Sequence, residues 1–387
     1  MDKYDVLVVG AGPGGSLLSY YLGTAGLNVL LIDKQVLPRY KACGGGITRR
    51  AAALIPFDMG SVIEDYSYRV SVSWQGEFLY SHISSNPIIS MVMREKFDYF
   101  LTSQAISAGV RVLDGTNVIG VARGKTGVIV STSGGDFNAG LVVGADGVNS
   151  RVARALGLHI GSRHNIALAA EVYPEDVDEV SRYKHEVSFD LNAIPEGYGW
   201  VFPKKDHLSV GVFSSIRMAK HIRKYFDEYL RMKKIRDGYQ VERTKIRLIP
   251  IRPNMDNILG NMNGCVVGDA AGFADPITGE GIYYALREAQ IGSAMIVEHG
   301  PSGLPRYSEL IKSEFMKEIR AAEKIAMFYR FPGATKFIVR RIPEYADYHL
   351  KIFCGEQSYY DLHRQVLSIK SIEQILKKLI RRSFATL

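Results

Sequence analysis

The chain has 387 residues, 47% hydrophobic and 23% charged, which excludes disorder as its main state. At roughly 150 residues per domain, that length suggests two to three domain equivalents. The net charge of +8 calls for an anionic partner, and no run reaches the ~18 apolar residues a spanning helix needs. The basic character sits in two segments: residues 217–252 hold 12 Lys/Arg against 4 Asp/Glu, and residues 301–387 hold 16 against 9. Neither has an RNA-recognition pattern or a Cys/His finger spacing, so no nucleic-acid partner is expected. A phospholipid surface or an acidic redox partner suits the charge better. Cys43, Cys265 and Cys354 are too few and too scattered for a disulfide framework, and the nine histidines show no ligand spacing, so no metal is assigned. Met1-Asp2-Lys3 runs into an apolar stretch without a basic-then-apolar leader, and a cytoplasmic location is expected.

In chain order, residues 4–9 are a short apolar β run, 10–15 a turn, 16–26 a helix and 28–32 a second buried strand. Residues 33–50 are polar and glycine-rich, the composition of a long functional loop. From 66 to 92 the pattern is strand-like, with Val70, Val72 and Trp74 alternating. A helix over 94–108 and β runs at 110–113, 117–122 and 127–131 follow, and then the buried Leu141-Val142-Val143. Residues 158–250 read as a different, aromatic-rich unit with β segments at 185–190, 198–203 and 207–213. The stretch Gly264-Cys265-Val266-Val267 returns to the buried parallel-strand pattern, and beyond 279 the chain is mostly helical.

Gly10-Ala11-Gly12-Pro13-Gly14-Gly15 places glycines at the G-x-G-x-x-G positions between a strand and a helix. Such glycines make a tight turn and let backbone amides approach a pyrophosphate at the positive end of the helix. Asp33 ends the second strand, where a carboxylate binds a ribose hydroxyl pair. This pattern predicts a dinucleotide site without choosing between NAD and FAD.

Two later segments resemble FAD-dependent enzymes of the p-hydroxybenzoate-hydroxylase-like fold. Gly144-Ala145-Asp146-Gly147 is similar to their Asp-Gly motif. Gly268-Asp269-Ala270-Ala271, with Asp275-Pro276 and Gly279-Glu280-Gly281-Ile282, is similar to their Gly-Asp motif. Pro38-Arg39-Tyr40-Lys41-Ala42-Cys43-Gly44-Gly45-Gly46 and Tyr198-Gly199-Trp200-Val201-Phe202-Pro203-Lys204 resemble geranylgeranyl reductases, among them the archaeal digeranylgeranylglycerophospholipid reductases. The likeness spans about residues 1–300. It implies FAD as cofactor, with Asp269 on the ribityl chain and the amides of Gly281 and Ile282 at the flavin pyrimidine edge. It adds Arg94, Lys34, Val118, Asp146, Gly147, Pro276 and Gly279 to the cofactor contacts, and lays Cys43 to Gly46 against the isoalloxazine. Tyr198, Trp200 and Phe202 would line the substrate cavity; alternating with period two, they share one strand face, which also suits plain core. Flavin halogenases carry a Trp where this chain has Tyr198, which argues against halogenation.

The expected protein is of α/β (α+β) class: a Rossmann-like FAD-binding domain with an inserted antiparallel-sheet substrate domain and a helical C-terminal region. The expected boundaries are 1–65, 93–157 and 251–300 for FAD binding, 66–92 and 158–250 for substrate, and 301–387 for the helices. Its expected activity is saturation of isolated C=C bonds of geranylgeranyl chains, with Cys43 as the candidate to deliver or position the proton. An FAD-dependent aromatic monooxygenase of the same fold is the alternative. The substrate partner is a prenyl lipid, and both NAD(P)H and ferredoxin stay open as electron donor. Ile372, Ile375, Leu376, Leu379 and Ile380 form one apolar helical face beside Lys377, Lys378, Arg381 and Arg382, which predicts peripheral contact with the cytoplasmic membrane face.

Overall fold

The computed structural model describes residues 3–366 apart from 126, 159, 236–237, 255, 328–330, 342–347 and 349–350. The amphipathic segment 371–387 lies outside the described residues. Three sheets organise the chain. The first contains β1 (Lys3–Val9), β2 (Val29–Ile32), β8 (Arg111–Leu113), β11 (Gly135–Gly144) and β18 (Gly264–Val266), in the parallel order β18-β11-β1-β2-β8. β2 is buried at every residue, as expected of a strand covered on both faces. Helix α1 (Pro13–Thr24) packs on it, α3 (Arg94–Ser107) and α6 (Ile282–His299) pack on α1, and α7 (Leu304–Ala326) packs on α6. Helix α1 starts at Pro13, three residues earlier than the sequence pattern suggests. A proline at the first helical position loses no hydrogen bond there, and its fixed φ suits the helix.

The second sheet has the order β16-β12-β15-β14-β13-β5-β6. Its strands are β5 (Arg69–Trp74), β6 (Glu77–Ile83), β12 (Ser162–Pro174), β13 (Glu186–Leu191), β14 (Tyr198–Pro203), β15 (Leu208–Ser215) and β16 (Tyr239–Pro253). All its pairings are antiparallel except that of β5 with β13. The third is a small antiparallel sheet of β3 (Gly46–Thr48), β7 (Ile89–Val92) and β4 (Ile63–Ser67). The fold is thus a parallel Rossmann-like core joined to an antiparallel sheet, with helices after it. No helix among the described residues is long and apolar enough to cross a membrane.

Alternation along β14 separates two functions. Val201 points to one face and packs with Val210, Val212 and the apolar side of helix α5 (Ile222–Met232), including Phe226 and Tyr229. Tyr198, Trp200 and Phe202 point to the other face and pack with Phe189 and Phe213. Two glycines let these large rings settle. A Cβ at Gly199 would sit 2.5 Å from the Tyr229 ring, and one at Gly211 would sit 2.2 Å from the Trp200 ring. Substituting Gly211→Ala should therefore overpack the sheet and cost ~1–3 kcal/mol. Chemical denaturation followed by tryptophan fluorescence checks this; an unchanged midpoint would show that Trp200 moves aside freely.

Candidate active site

Four distant parts of the sequence meet where parallel strands end together. Val9 is paired with Ile32 on one side and Gly144 on the other, and Gly144 is paired with Val266. The next residues along are Gly10, Asp33, Ala145 and Val267, so every nucleotide motif leaves the sheet at its carboxyl edge. Open α/β sheets bind ligands at that edge. Close approach explains the glycines. Gly10 has φ +108°, and a Cβ there would lie 2.3 Å from the Ala145 carbonyl oxygen; one at Gly15 would lie 2.0 Å from that of Gly10. Gly12 differs: a Cβ there would meet nothing within 4 Å, so its backbone faces open space. It also caps α1 without any side-chain hydrogen bond, which leaves first-turn amides for an anion.

Asp33 accepts from the Ala11 amide (2.9 Å) and the Gln35 amide (2.9 Å), and lies 3.4 Å from Arg39 Nε. Arg39 reaches on to Asp98 (3.0 Å), whose two oxygens also accept from Arg94 at 2.8 and 2.9 Å. Burial alone would raise the Asp98 carboxyl, but Arg94, Arg39 and Lys41 hold it below the ordinary carboxylate range. Burial likewise works against the charge on Arg94, yet Asp98 and a hydrogen bond to Cys43 keep it protonated.

The segment Cys43–Gly46 lies between β14 and β7. Gly45 has φ +66°, and a Cβ there would collide with the Val92 carbonyl oxygen at 2.1 Å; one at Gly44 would sit 2.9 Å from the Phe202 ring. The Val92 amide donates to Gly45 O (2.8 Å), and the Gly45 amide donates to Cys43 Sγ (3.4 Å). The glycines at 44 and 45 are therefore dictated by contact with a strand and an aromatic ring.

A cavity of about 240 Å³ runs between these parts, bounded by Gly12–Gly15, Cys43–Gly46, Arg94, Asp269 and Gly279–Ile282. Asp269 faces Lys41 at 3.9 Å. Gly281 begins α6 with no side-chain cap, so the positive end of an 18-residue helix points into the cavity. Glu280, beside it, is clamped by Thr48 Oγ1 and Arg50, both at 2.5 Å. A second cavity of about 990 Å³ adjoins the first, and Phe189, Tyr198, Phe213, Thr278 and Phe353 line both. The Tyr198 hydroxyl donates to Thr278 O (2.5 Å), which ties the seven-stranded sheet to the 275–281 loop.

Comparison with known proteins agrees with this geometry. The FAD binding domain family matches residues 3–294. An uncharacterized protein of Methanosarcina barkeri is 31% identical over 335 residues, 85% of this chain and 83% of that protein. A digeranylgeranylglycerophospholipid reductase of Thermoplasma acidophilum is 31% identical over 371 residues, covering 84% of this chain and 89% of the relative. The chain belongs to the FAD-binding geranylgeranyl reductase family. The crystal structure of a geranylgeranyl bacteriochlorophyll reductase-like protein from Thermoplasma acidophilum superposes with a TM-score of 0.76 at 26% identity, over 88% of this chain and 92% of that one.

This geranylgeranyl reductase family member is an FAD-dependent oxidoreductase, and the site suits that cofactor. Gly12 leaves room at an uncapped helix start, and Trp200 Nε1 is a buried donor without a partner on the cavity wall. Of the residues singled out from sequence, Gly12 to Gly15, Cys43 to Gly46, Arg94, Gly147, Asp269, Gly279, Gly281, Ile282 and the three β14 aromatics all border the smaller cavity. Pro276 borders the larger one. Asp146 uses one carboxylate oxygen on the Arg151 and Val152 amides at the start of the short helix Arg151–Ala155, which Ser150 caps. Lys34 is exposed just past Asp33, and the Val118 side chain lies in the core while its carbonyl accepts from Arg151. Asp98 had a legible signal that the motifs did not use: it stands four residues after Arg94 on one helix face. Phe213 enters only through its pairing with Tyr198, and Lys204, the last residue of the Tyr198–Lys204 segment, reaches the Gly44 carbonyl with its ammonium.

Removing the Asp98 carboxylate would leave Arg39 and Arg94 buried against each other. Asp98→Ala should cost ~3–5 kcal/mol, read as a lowered urea midpoint at neutral pH. Because the folded-state value is depressed, the stabilisation is present above the ordinary carboxylate range and is lost as pH falls through the depressed value. An Asp98→Ala protein as stable as the parent at pH 7 would contradict the network.

Proposed function

We propose that the protein saturates C=C bonds of geranylgeranyl chains carried on a phosphate-bearing headgroup. The larger cavity is the observation that carries this reading. At about 990 Å³ it is walled by Val70, Val72, Leu191, Ile251, Ile277 and Phe353, and Arg163, Arg320 and Lys324 stand exposed at its rim. An apolar chamber near the upper end of small-molecule site volumes suits a long prenyl chain, and the rim suits an anion. The names of the relatives support the same class of substrate.

In this reading Gly10, Gly12, Pro13, Gly14 and Gly15 receive the FAD pyrophosphate with Gly147, and Asp33 with its neighbour Lys34 takes the adenosine ribose. Arg94 and the Gly44–Gly46 backbone flank the flavin, Asp269 holds the ribityl chain, and Pro276, Gly279, Gly281 and Ile282 border the pyrimidine edge. Val118 contributes backbone only, and Asp146 orders the Gly147 turn. Reduced FAD supplies a hydride when bound. The chain must supply the rest: exclusion of water, close approach, and a proton for the second carbon, since a trisubstituted alkene has no carbonyl to polarise. Tyr198, Trp200 and Phe202 orient the alkene, and Cys43 delivers the proton.

Dithionite-reduced enzyme incubated with geranylgeranyl diphosphate or a geranylgeranyl glycerophospholipid should yield products heavier by steps of about 2 Da, one per bond reduced by hydride and proton. No mass gain, with oxygen uptake driven by a small aromatic compound instead, would favour the monooxygenase alternative. Cys43→Ser should retain FAD while single-turnover reduction falls by roughly 10²-fold, because a far weaker acid replaces the thiol. Unchanged turnover would remove Cys43 from the chemistry. Asp269→Ala strands a ribityl hydroxyl at ~1–3 kcal/mol and should purify depleted of FAD, which the flavin absorbance of the purified protein reads directly. Full occupancy would end that assignment.

A further inference from the structure

Beneath the Cys43–Gly46 segment lies a charged group that the site as described leaves unused. Lys204, at the end of β14, is 1% exposed. Its ammonium donates to the carbonyl oxygens of Gly44 (2.8 Å) and Val92 (3.0 Å), and so bridges the glycine segment and β7. A buried cation costs several kcal/mol unless compensated. The groups that act on its charge come from every side: Glu171 on β12, Glu64 and Asp65 on β4, and Cys43 above it. Burial nonetheless pulls the ammonium down to about 8, into the working range of an enzyme.

Glu171 is itself buried, with one oxygen held by the Tyr40 hydroxyl (3.1 Å) and the other 3.4 Å from His207 Nε2. His207 is buried too, and its Nδ1 lies 2.7 Å from the exposed carboxylate of Asp206. Titratable groups therefore form a row from solvent at Asp206, through His207 and Glu171, to the underside of the Cys43 turn. A plain core position would hold an apolar side chain here, because a hydrophobic residue of similar volume avoids the desolvation cost.

We propose that Lys204 is a positioning residue for Cys43: it fixes the Gly44 carbonyl and supplies the positive charge that balances Cys43 once the thiol has given up its proton. The inference rests on the reading of Cys43 as proton donor. In the balanced step, the S–H proton goes to the alkene carbon that does not take the hydride, and the electron pair of that bond stays on sulfur. A proton then returns to the thiolate from the Lys204 side, and Lys204 regains its own from solvent. Arg94, which also bonds Cys43, keeps its charge throughout and so cannot donate this proton.

The test is alkylation of Cys43 in the FAD-loaded enzyme, followed by peptide mass spectrometry at pH 7 and pH 10, with Lys204→Met beside the parent. At pH 7 the parent carries the ammonium and the variant does not, so labelling should slow by about tenfold in the variant. At pH 10 Lys204 is neutral in the parent as well, and the two rates should converge. A merely structural role gives the opposite pattern, faster labelling of a loosened segment at both pH values, and would overturn the proposal, as would equal rates at pH 7. If Lys204→Met does not fold, Lys204→Gln carries the same comparison, since its amide still donates two N–H bonds without the charge. The readout involves no prenyl substrate, so its failure is distinct from failure of the geranylgeranyl assignment, which the product masses decide.

Discussion

Four parallel strand ends held in register are the constraint on which the site depends. Backbone hydrogen bonds from Gly10 to Ile32 (2.7 Å), Ala145 to Val9 (2.7 Å) and Val267 to Gly144 (2.9 Å) carry that register one residue beyond the strands. The chain must then turn four times in the space of one sheet edge. Only backbone without side chains can approach so closely, which is why Gly10 and Gly15 tolerate no Cβ while Gly12 is left facing outward. The same crowding that demands glycine exposes amides at two helix starts, α1 and α6. In the proposed reading, a nucleotide with an anionic centre and a flavin that becomes negative on reduction would both draw on those helix ends.

The Cys43–Gly46 segment borders the same cavity from another side. It is pinned by three different forces: a strand hydrogen bond to Val92, ring contact with Phe202, and the ammonium of Lys204. Each alone is modest, a net hydrogen bond being worth ~1 kcal/mol. Together they fix a short glycine-rich turn that would otherwise lose the most conformational freedom on folding. The charges around it are neutralised in pairs. Asp98 is shared by Arg39 and Arg94, and Glu280 is held by Arg50 and Thr48. Buried ion pairs seldom add much net stability, but breaking one is costly. Here they set the position of the turn and of the α6 start.

Most of the nucleotide half was legible because its rules are local. A glycine spacing between an apolar strand and a helix, an acid at the next strand end, and a second apolar run into Gly-Asp can all be read one segment at a time. The alternation of Tyr198, Trp200 and Phe202 likewise announced a shared face, though not whether that face meets plain core or a cavity. Helix α1 starting at Pro13 rather than after the glycines shows the limit of such reading. A glycine-rich turn and the first turn of a helix look alike until the proline is given its structural weight.

What the sequence by itself determined is therefore a dinucleotide site at the ends of buried strands, because backbone sterics and strand periodicity act over a few residues, while the choice of FAD came from the resemblance of the later motifs. Tertiary structure decided which partners those residues have. Asp98 joins Arg39 from 59 residues away, Lys204 reaches Gly44 across 160, and Glu280 is clamped from Arg50 across 230. The larger cavity is likewise assembled from β5, β13, β15, the 276–278 loop and Phe353, none of which signals a cavity alone. Its existence follows from how one sheet, a loop and a helical segment fail to fill the space between them. That is a property of packing over the whole chain, and no local pattern encodes it.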